Sequence, residues 1–259
     1  MIPIRSNIHI LCLIRLIECH MVPFVVGGMK AKIKHFPHSA FLNFFCADIH
    51  TGLVIPWICG ASILNENILL TAAHCLEDCN GQSFISINFG HKHKDKGPMS
   101  TIVKFVVHEQ YDKFTTANDI ALVGPKTPLT LNRNTQRVAI MKNPPYYEKA
   151  QIAGWGVINE IKNTQGTVLH FVDQYVWHSR KCVKTIKTLA LGALCASSRH
   201  ADSYSSRGDS GSALVVRGYI QIGIVSYKLP KVSRSLVVYT DTGYFYDWIK
   251  KNSRRLYCV

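Results

Sequence analysis

A serine placed between glycines offers the clearest chemistry in this sequence. The stretch Arg207-Gly208-Asp209-Ser210-Gly211-Ser212-Ala213-Leu214 puts Ser210 just before an apolar run. Glycines let the backbone approach a substrate closely, and the N–H groups of Gly208 and Ser210, aimed inward, would hold a developing oxyanion. A serine alone is a poor nucleophile, and it needs a base that is itself oriented by an acid. The stretch therefore predicts nucleophilic catalysis if a histidine and an aspartate accompany it.

Two upstream stretches supply a base and an acid. His74 lies in Thr71-Ala72-Ala73-His74-Cys75, and Asp119 lies in Asn118-Asp119-Ile120-Ala121-Leu122. Taken singly, each motif has a plainer interpretation: Gly-Asp-Ser-Gly as a turn, His74 as a core or surface histidine, and Asp119 as the start of a strand. Their joint occurrence favours a histidine-activated serine nucleophile.

These three stretches, in the order His, Asp, Ser, resemble the signatures of the trypsin/chymotrypsin family of serine peptidases. Val25-Val26-Gly27-Gly28 is similar to the start of the family's mature enzymes, and two further family stretches are matched at 153–156 and 223–227. The resemblance runs from Val25 to about Arg254. It implies a peptidase domain over most of the chain.

Short alternating apolar runs separated by turn residues predict an all-β architecture that ends in a helix. The resemblance implies more: two antiparallel six-stranded β-barrels with the active site between them. The first barrel is expected over about 25–130, the second over about 140–243 and the C-terminal helix over 244–254, followed by a tail at 255–259. His74 and Asp119 would come from the first barrel and Ser210 from the second.

The resemblance also implies a role for each of these residues. Ser210 attacks the scissile carbonyl, His74 takes and returns the proton, and Asp119 orients the imidazole. Gly208 and Ser210 form the oxyanion hole. Asp209 pairs with the α-amino group that activation cleavage creates on Val25. The family's reaction needs no metal or cofactor.

The substrate pocket departs from the trypsin pattern. By count from Ser210, Tyr204 stands where trypsin-like members carry an acidic residue, and Lys228 stands where a glycine usually keeps the pocket mouth open. Tyr204 and Val237, which falls near a second such glycine position, suggest a shallow or narrowed apolar pocket. We therefore expect a preference for apolar or small residues rather than for lysine or arginine. The expected substrate-binding residues are Tyr204, Ser205, Arg207, Ser226, Tyr227 and Lys228.

Three disulfides are expected from the resemblance. Cys59–Cys75 and Cys182–Cys195 match family pairs. Cys46 and Cys79 match no common pair, but they fall on two loops that are neighbours at the cleft rim of the family fold, which predicts a Cys46–Cys79 bridge. Cys258 has no obvious partner.

Residues 1–24 are interpreted as a leader of signal-peptide or propeptide type, because Ile8 to Ile17 is mostly apolar and follows Arg5. Nine cysteines favour an oxidising compartment, and both features predict secretion. Phe24, rather than lysine or arginine, precedes Val25, so tryptic activation at that bond is not expected. Either a chymotrypsin-like protease cuts it, or the leader is wrongly defined, or activation does not occur.

The composition excludes a disordered chain, since 47% of the 259 residues are apolar. The net charge of +14, from 30 Lys and Arg against 16 Asp and Glu, is dispersed and predicts a basic surface with at most weak attraction to acidic glycans or membranes. The aromatic–basic interleaving typical of nucleic-acid binding is not evident, so no nucleic-acid partner is expected.

The sequence thus predicts a secreted, monomeric serine endopeptidase of non-tryptic specificity, with protein or peptide substrates and with protein protease inhibitors as possible partners. The alternative is a catalytically weak or inactive member of the family that acts as a binding or regulatory protein. The three motifs favour the first interpretation. Lys228 and Phe24 keep the second open, as does a missing family disulfide, since Ser206 stands where most members carry the cysteine.

Overall fold

The computed structural model describes residues 28–47, 52–77, 79, 83–201 and 203–257. Val25, Phe24, the rest of the expected leader and Cys258 lie outside these residues. The described elements are β1 (Met29–Lys30), β2 (Ser39–Ala47), β3 (Val54–Asn65), β4 (Ile68–Thr71), β5 (Ser83–Phe89), β6 (Met99–Val107), β7 (Ala121–Pro125), β8 (Ala139–Ile140), β9 (Ala150–Gly154), β10 (Val157–Asn159), β11 (Thr164–Gln165), β12 (His170–Val176), α1 (Ser179–Thr185), β13 (Ala193–Ser197), β14 (Ala213–Val216), β15 (Ile220–Lys228), β16 (Leu236–Asp241) and α2 (Tyr246–Tyr257).

The first half folds into a closed antiparallel barrel. Its strands follow the order β2-β3-β4-β7-β6-β5. Alternation along the strands fills the interior: Ile85, Ile87 and Phe89 of β5 are buried, while Phe84 is exposed. Each apolar side chain buried completely in such a core contributes about 1.5–3 kcal/mol.

The second half folds into a second barrel. Its strands follow the order β12-β13-β16-β15-β14-β9, and pairing of β9 with β12 closes the ring. The predicted all-β fold with two six-stranded barrels is confirmed. A separate two-stranded ribbon, β10 with β11, stands outside both rings.

The two ends of the described chain each attach to the opposite barrel. β1 pairs with β12 of the second barrel, although the sequence assigned this region to the first. Conversely, α2 follows the second barrel but contacts β4, β6 and β7 of the first. Phe245, Ile249 and Leu256 join the core cluster of the first barrel. The predicted C-terminal helix is present, and it begins two residues later than expected, at Tyr246.

A third apolar cluster fills the space between the barrels. It combines Phe41 of β2 with Ala153, Trp155, Ala213 and Val215 from the second half. Neighbouring residues of β2 therefore face different cores, since Leu42 belongs to the interior of the first barrel. This cluster fixes the orientation of the two barrels and hence of the cleft between them.

Three disulfides pin loops to strands. Cys46–Cys79 ties the end of β2 to the chain after His74, Cys59–Cys75 ties β3 to the turn that carries His74, and Cys182–Cys195 ties α1 to β13. These are the three pairs expected from the sequence. In the described part of the chain, no helix is both long enough and apolar enough to cross a membrane.

Candidate active site

His74 and Asp119 meet at the rim of the first barrel. His74 lies in a single 3-10 turn, Ala73–Cys75, directly after β4, and Asp119 lies two residues before β7. Asp119 Oδ2 is 2.8 Å from His74 Nδ1, and Asp119 Oδ1 accepts from the His74 backbone N–H at 2.9 Å. Because an ionised carboxylate only accepts, Nδ1 carries the proton and leaves Nε2 as the acceptor of the neutral ring.

The environment of His74 makes it a stronger base than an ordinary histidine. Burial acts to lower the pKa of His74, but the hydrogen bond and charge of Asp119, with the charge of Glu77, outweigh it and raise the pKa above its ordinary value. Asp119 is only 1% exposed. The imidazole can therefore take up a proton from a neighbouring hydroxyl while a fixed negative charge compensates it.

Ser210 comes from the second barrel and is tied to the first through Gly60. The Gly60 N–H donates to the Ser210 carbonyl at 2.7 Å, and the Gly60 carbonyl accepts from the Thr71 hydroxyl at 2.8 Å. Gly211, next to Ser210, has φ +80°, and a Cβ there would lie 2.2 Å from Thr71 Oγ1. These contacts bring the Ser210 backbone beside the strand that leads to His74.

Within the described residues, no hydrogen bond joins Ser210 Oγ to the imidazole, and the polar atom recorded near His74 Nε2 is Cys75 Sγ, at 3.9 Å. Serine–histidine hydrogen bonds are often long without a substrate and tighten when one binds. Cys59, His74 and Cys75 also cluster within 4.8 Å. They make no metal site, because the two sulfurs are bonded to each other.

The backbone next to Ser210 provides two N–H donors. The N–H of Asp209 donates to the Ser206 carbonyl at 3.0 Å, whereas in the described part of the chain no acceptor faces the N–H groups of Gly208 and Ser210. Gly208 has φ +95°, and a Cβ there would lie 2.5 Å from Ile58 Cδ1. Only glycine fits this position without strain. Two N–H groups that flank a hydroxyl in this way can bind an oxyanion.

The side chain of Asp209, which lies between Gly208 and Ser210, is fully buried. Its two oxygens accept the N–H groups of Gly156 at 2.9 Å and of Ser206 at 2.8 Å. Burial raises the pKa of Asp209 to about 6, although the two N–H groups and the charge of Lys228 act in the opposite direction. A buried carboxylate of this kind gains from a cation. Val25, its expected partner, lies outside the described residues.

A cavity of about 470 Å³ extends from Ser210. Five of the expected substrate-binding residues line it, namely Ser205, Arg207, Ser226, Tyr227 and Lys228. Tyr204 is buried beside it, with its ring centroid 4.9 Å from Lys228 Nζ. Val237 does not line the cavity but is buried in the core of the second barrel.

Sequence reasoning missed Glu160, which also lines the cavity. Its carboxylate accepts hydrogen bonds from Tyr204 Oη at 3.0 Å and from Ser206 Oγ at 2.6 Å, and it pairs with Lys228 Nζ. Burial acts to raise the pKa of Glu160, but the charge and hydrogen bond of Lys228 and the two hydroxyls outweigh it and hold the pKa below its ordinary value. Instead of an apolar floor, the described pocket contains a polar network around this carboxylate.

Comparisons with known proteins identify the family of the chain. The family model Trypsin matches residues 25–249. Hypodermin-A of Hypoderma lineatum is 28% identical over 90% of this chain and 88% of its own. Mast cell protease 3 of Ovis aries is 31% identical over 89% of this chain and 90% of its own. The chain therefore belongs to the trypsin family of serine proteases.

The same fold occurs in the solved structure of the scabies mite inactivated protease paralogue S-D1. The TM-score is 0.75 with 24% identity, over 89% of this chain and 98% of that chain. A likeness at this level concerns the fold alone. Activity has to be argued from the side chains of the site.

Proposed function

We propose that this chain is a serine endopeptidase in which Ser210 is the nucleophile, His74 the base and Asp119 the orienting acid. The observation that supports this most directly is the double hydrogen bond from His74 to the buried carboxylate of Asp119. That arrangement holds Nδ1 protonated and leaves Nε2 to accept a proton. Ser210 lies at the cavity in which a substrate would bind.

In the proposed reaction, Ser210 Oγ attacks the scissile carbonyl carbon as its proton passes to His74 Nε2. The carbonyl oxygen becomes an oxyanion that receives hydrogen bonds from the N–H groups of Gly208 and Ser210. The C–N bond then breaks, and His74 returns the proton to the leaving amine. Water, deprotonated by His74, hydrolyses the acyl-serine ester. Loss of one oxyanion donor typically costs about 3–4 kcal/mol of transition-state stabilisation.

We propose further that cleavage between Phe24 and Val25 activates the chain. The new α-amino group would pair with Asp209, whose buried carboxylate has a pKa raised to about 6 and would gain from a cation. The pairing would stabilise the loop 206–210, which provides the oxyanion donors. Phe24 calls for an activator that cuts after an aromatic residue.

The proposed specificity is non-tryptic. Lys228 would repel a basic side chain, and Glu160, the acidic side chain that lines the cavity, is already paired with Lys228. A small or apolar side chain would leave this ion pair in place and pack against Val157 and Val225 of the lining. We expect apolar or small residues before the scissile bond.

Secretion is part of the proposal, supported by the leader-like sequence of residues 1–24 and by three disulfides. The family implies protein substrates. Protein protease inhibitors, a monomeric state and weak attraction to acidic glycans are proposed from the resemblance and from the net charge of +14.

The test is labelling of the secreted protein with a fluorophosphonate probe, located by mass spectrometry. We expect modification of Ser210, together with peptide hydrolysis, and loss of both in the Ser210→Ala variant with unchanged circular dichroism. Ser212→Ala, two residues away, is the matched control. Hydrolysis that survives in Ser210→Ala would overturn the assignment. An unlabelled protein with a correctly formed N-terminus at Val25 would indicate the non-catalytic alternative.

A further inference from the structure

Glu160 occupies the substrate cavity from outside the two barrels. It follows β10, one of the two strands of the separate β10–β11 ribbon. Its three partners belong to the second half of the molecule: Lys228 is the last residue of β15, and Tyr204 and Ser206 are buried beside the cavity. The carboxylate thus enters from a loop, whereas Lys228 is anchored in a barrel strand.

Three donors converge on this carboxylate. Oε1 accepts from Ser206 Oγ at 2.6 Å and pairs with Lys228 Nζ, and Oε2 accepts from Tyr204 Oη at 3.0 Å. A hydroxyl on each oxygen and an ammonium at one of them are a donor set for carboxylate recognition. The Glu160 side chain remains 40% exposed, so it can leave the cavity without unfolding a buried element.

The charges of the lining favour an anion. Among the described residues, the charged side chains that line the cavity are Glu160, Arg207 and Lys228. When Glu160 leaves, Arg207 and Lys228 are the charged residues that remain in the described lining, and Lys228 loses its ion pair with Glu160. A ligand carboxylate can replace Glu160 and accept from all three donors. A ligand cation that replaced Lys228 would contact a single charged partner, the Glu160 carboxylate.

From these contacts we propose that the cavity is a carboxylate-binding subsite, that Glu160 is its internal ligand, and that peptides with aspartate or glutamate before the scissile bond are a second substrate class. The inference rests on the proposed function, because it concerns the pocket beside Ser210. A small or apolar residue binds with the Glu160–Lys228 pair closed. An acidic residue binds by displacing Glu160. Glu160 therefore competes with acidic substrates for the three donors and does not compete with small or apolar ones.

The test uses matched peptides that differ only in the residue before the scissile bond: Glu, its neutral isostere Gln, and Ala. In the wild-type protein we expect kcat/KM for Glu to exceed that for Gln by about tenfold, the value of one retained charge-assisted contact of about 1.4 kcal/mol. Glu160→Ala should lower KM for the Glu peptide severalfold relative to KM for the Ala peptide in the same variant. Lys228→Met should bring Glu down to the level of Gln. Glu148→Ala, which removes a glutamate paired with Arg217 outside the cavity lining, should change none of these values.

Two outcomes separate this inference from the proposed function. If Ser210 is labelled and the Ala peptide is hydrolysed while Glu and Gln are cleaved equally, the carboxylate subsite is wrong and the peptidase stands. If no peptide is hydrolysed, calorimetric binding of the Glu and Gln peptides to Ser210→Ala decides. Tighter binding of Glu, lost on adding Lys228→Met, supports the subsite, and equal binding overturns it.

Discussion

Asp119 holds His74 at two points, with one carboxylate oxygen on the backbone N–H at 2.9 Å and the other on Nδ1 at 2.8 Å. The same residue is tied to the opposite barrel. Ser226 of β15 donates to Oδ2, and Thr240 of β16 donates to the Asp119 carbonyl at 2.7 Å. The position of His74 therefore depends on contacts from both barrels.

Replacing Asp119 with asparagine should lower kcat on the order of 10⁴-fold, the magnitude of the equivalent change in the trypsin-type triad that serves as the worked example of this mechanism. An amide can donate to Nδ1, which favours the tautomer with its proton on Nε2, the wrong one for a base. Steady-state kinetics with a peptide that carries alanine before the scissile bond measures the effect. Asp173→Asn, which removes a carboxylate paired with Lys149, is the control. Activity of Asp119→Asn within tenfold of the wild type would contradict the proposed role.

The pH profile of kcat/KM should rise from the acidic side with a midpoint above 6.5. Burial lowers the pKa of His74, but Asp119 and Glu77 raise it by a larger amount, so the net shift is upward from 6.5. Only the neutral imidazole accepts the serine proton. An NMR titration of the His74 ring in Ser210→Ala checks the assignment, and a midpoint at or below 6.5 would show that burial outweighs the stabilisation of the cation by Asp119 and Glu77.

The contribution of Asp209 to the stability of the uncleaved chain should fall as pH rises from about 4 to about 6. The folded pKa of Asp209, about 6, exceeds its ordinary 3.8 because of burial, so the unfolded chain releases its proton first. Two pKa units correspond to about 3 kcal/mol. Cleavage before Val25 would supply a cation that reverses the shift and stabilises the protein above pH 6.

Thermal unfolding of intact and cleaved protein between pH 4 and pH 8 measures this difference. Asp209→Asn should remove the pH dependence of the difference, because its side chain does not titrate. Identical pH profiles for the intact and cleaved proteins would show that the new amino group does not reach Asp209.

Removing the Cys46–Cys79 bridge by a double change to alanine should lower the free energy of unfolding by about 3–4 kcal/mol and leave kcat within a few fold. The bridge spans 33 residues, against 16 for Cys59–Cys75 and 13 for Cys182–Cys195, and longer loops lose more entropy on closure. Denaturant titration measures the loss, with the Cys182/Cys195 double variant as the matched comparison. Equal stability of wild type and variant, with the bridge verified by non-reducing peptide mapping, would contradict the prediction.

Local motifs predicted the parts of the site that depend on short stretches of chain. The settings of His74 and Asp119 were each recognised in five residues and that of Ser210 in eight, because the chemistry demands particular neighbours along the chain. Glu160 could not be predicted in this way, since its contacts join it to residues 44, 46 and 68 positions away. Val237 was misplaced at the pocket mouth because loop length between Lys228 and β16 leaves its register open. In the fold it pairs with Ala196 and Lys228 inside the second barrel.

The attachment of the chain ends was likewise beyond local pattern. A two-residue strand such as β1 has no periodicity from which to read its partner. The helical spacing of the apolar residues predicted that α2 has an apolar face. The spacing does not indicate which of the two barrels that face packs against. Contacts with β4, β6 and β7 decide the matter.

The cluster between the barrels, with Phe41, Ala153, Trp155, Ala213 and Val215, makes the alignment of reacting groups a property of an interface rather than of either barrel. Each barrel has a core of its own. A small separation of the two barrels would therefore abolish hydrolysis while leaving both β-sheets folded. We expect enzymatic activity to disappear at a lower denaturant concentration than the circular dichroism signal. Loss of hydrolysis would then report a change in the packing of one barrel against the other before circular dichroism does. Coincident transitions would show that the two barrels unfold as one unit.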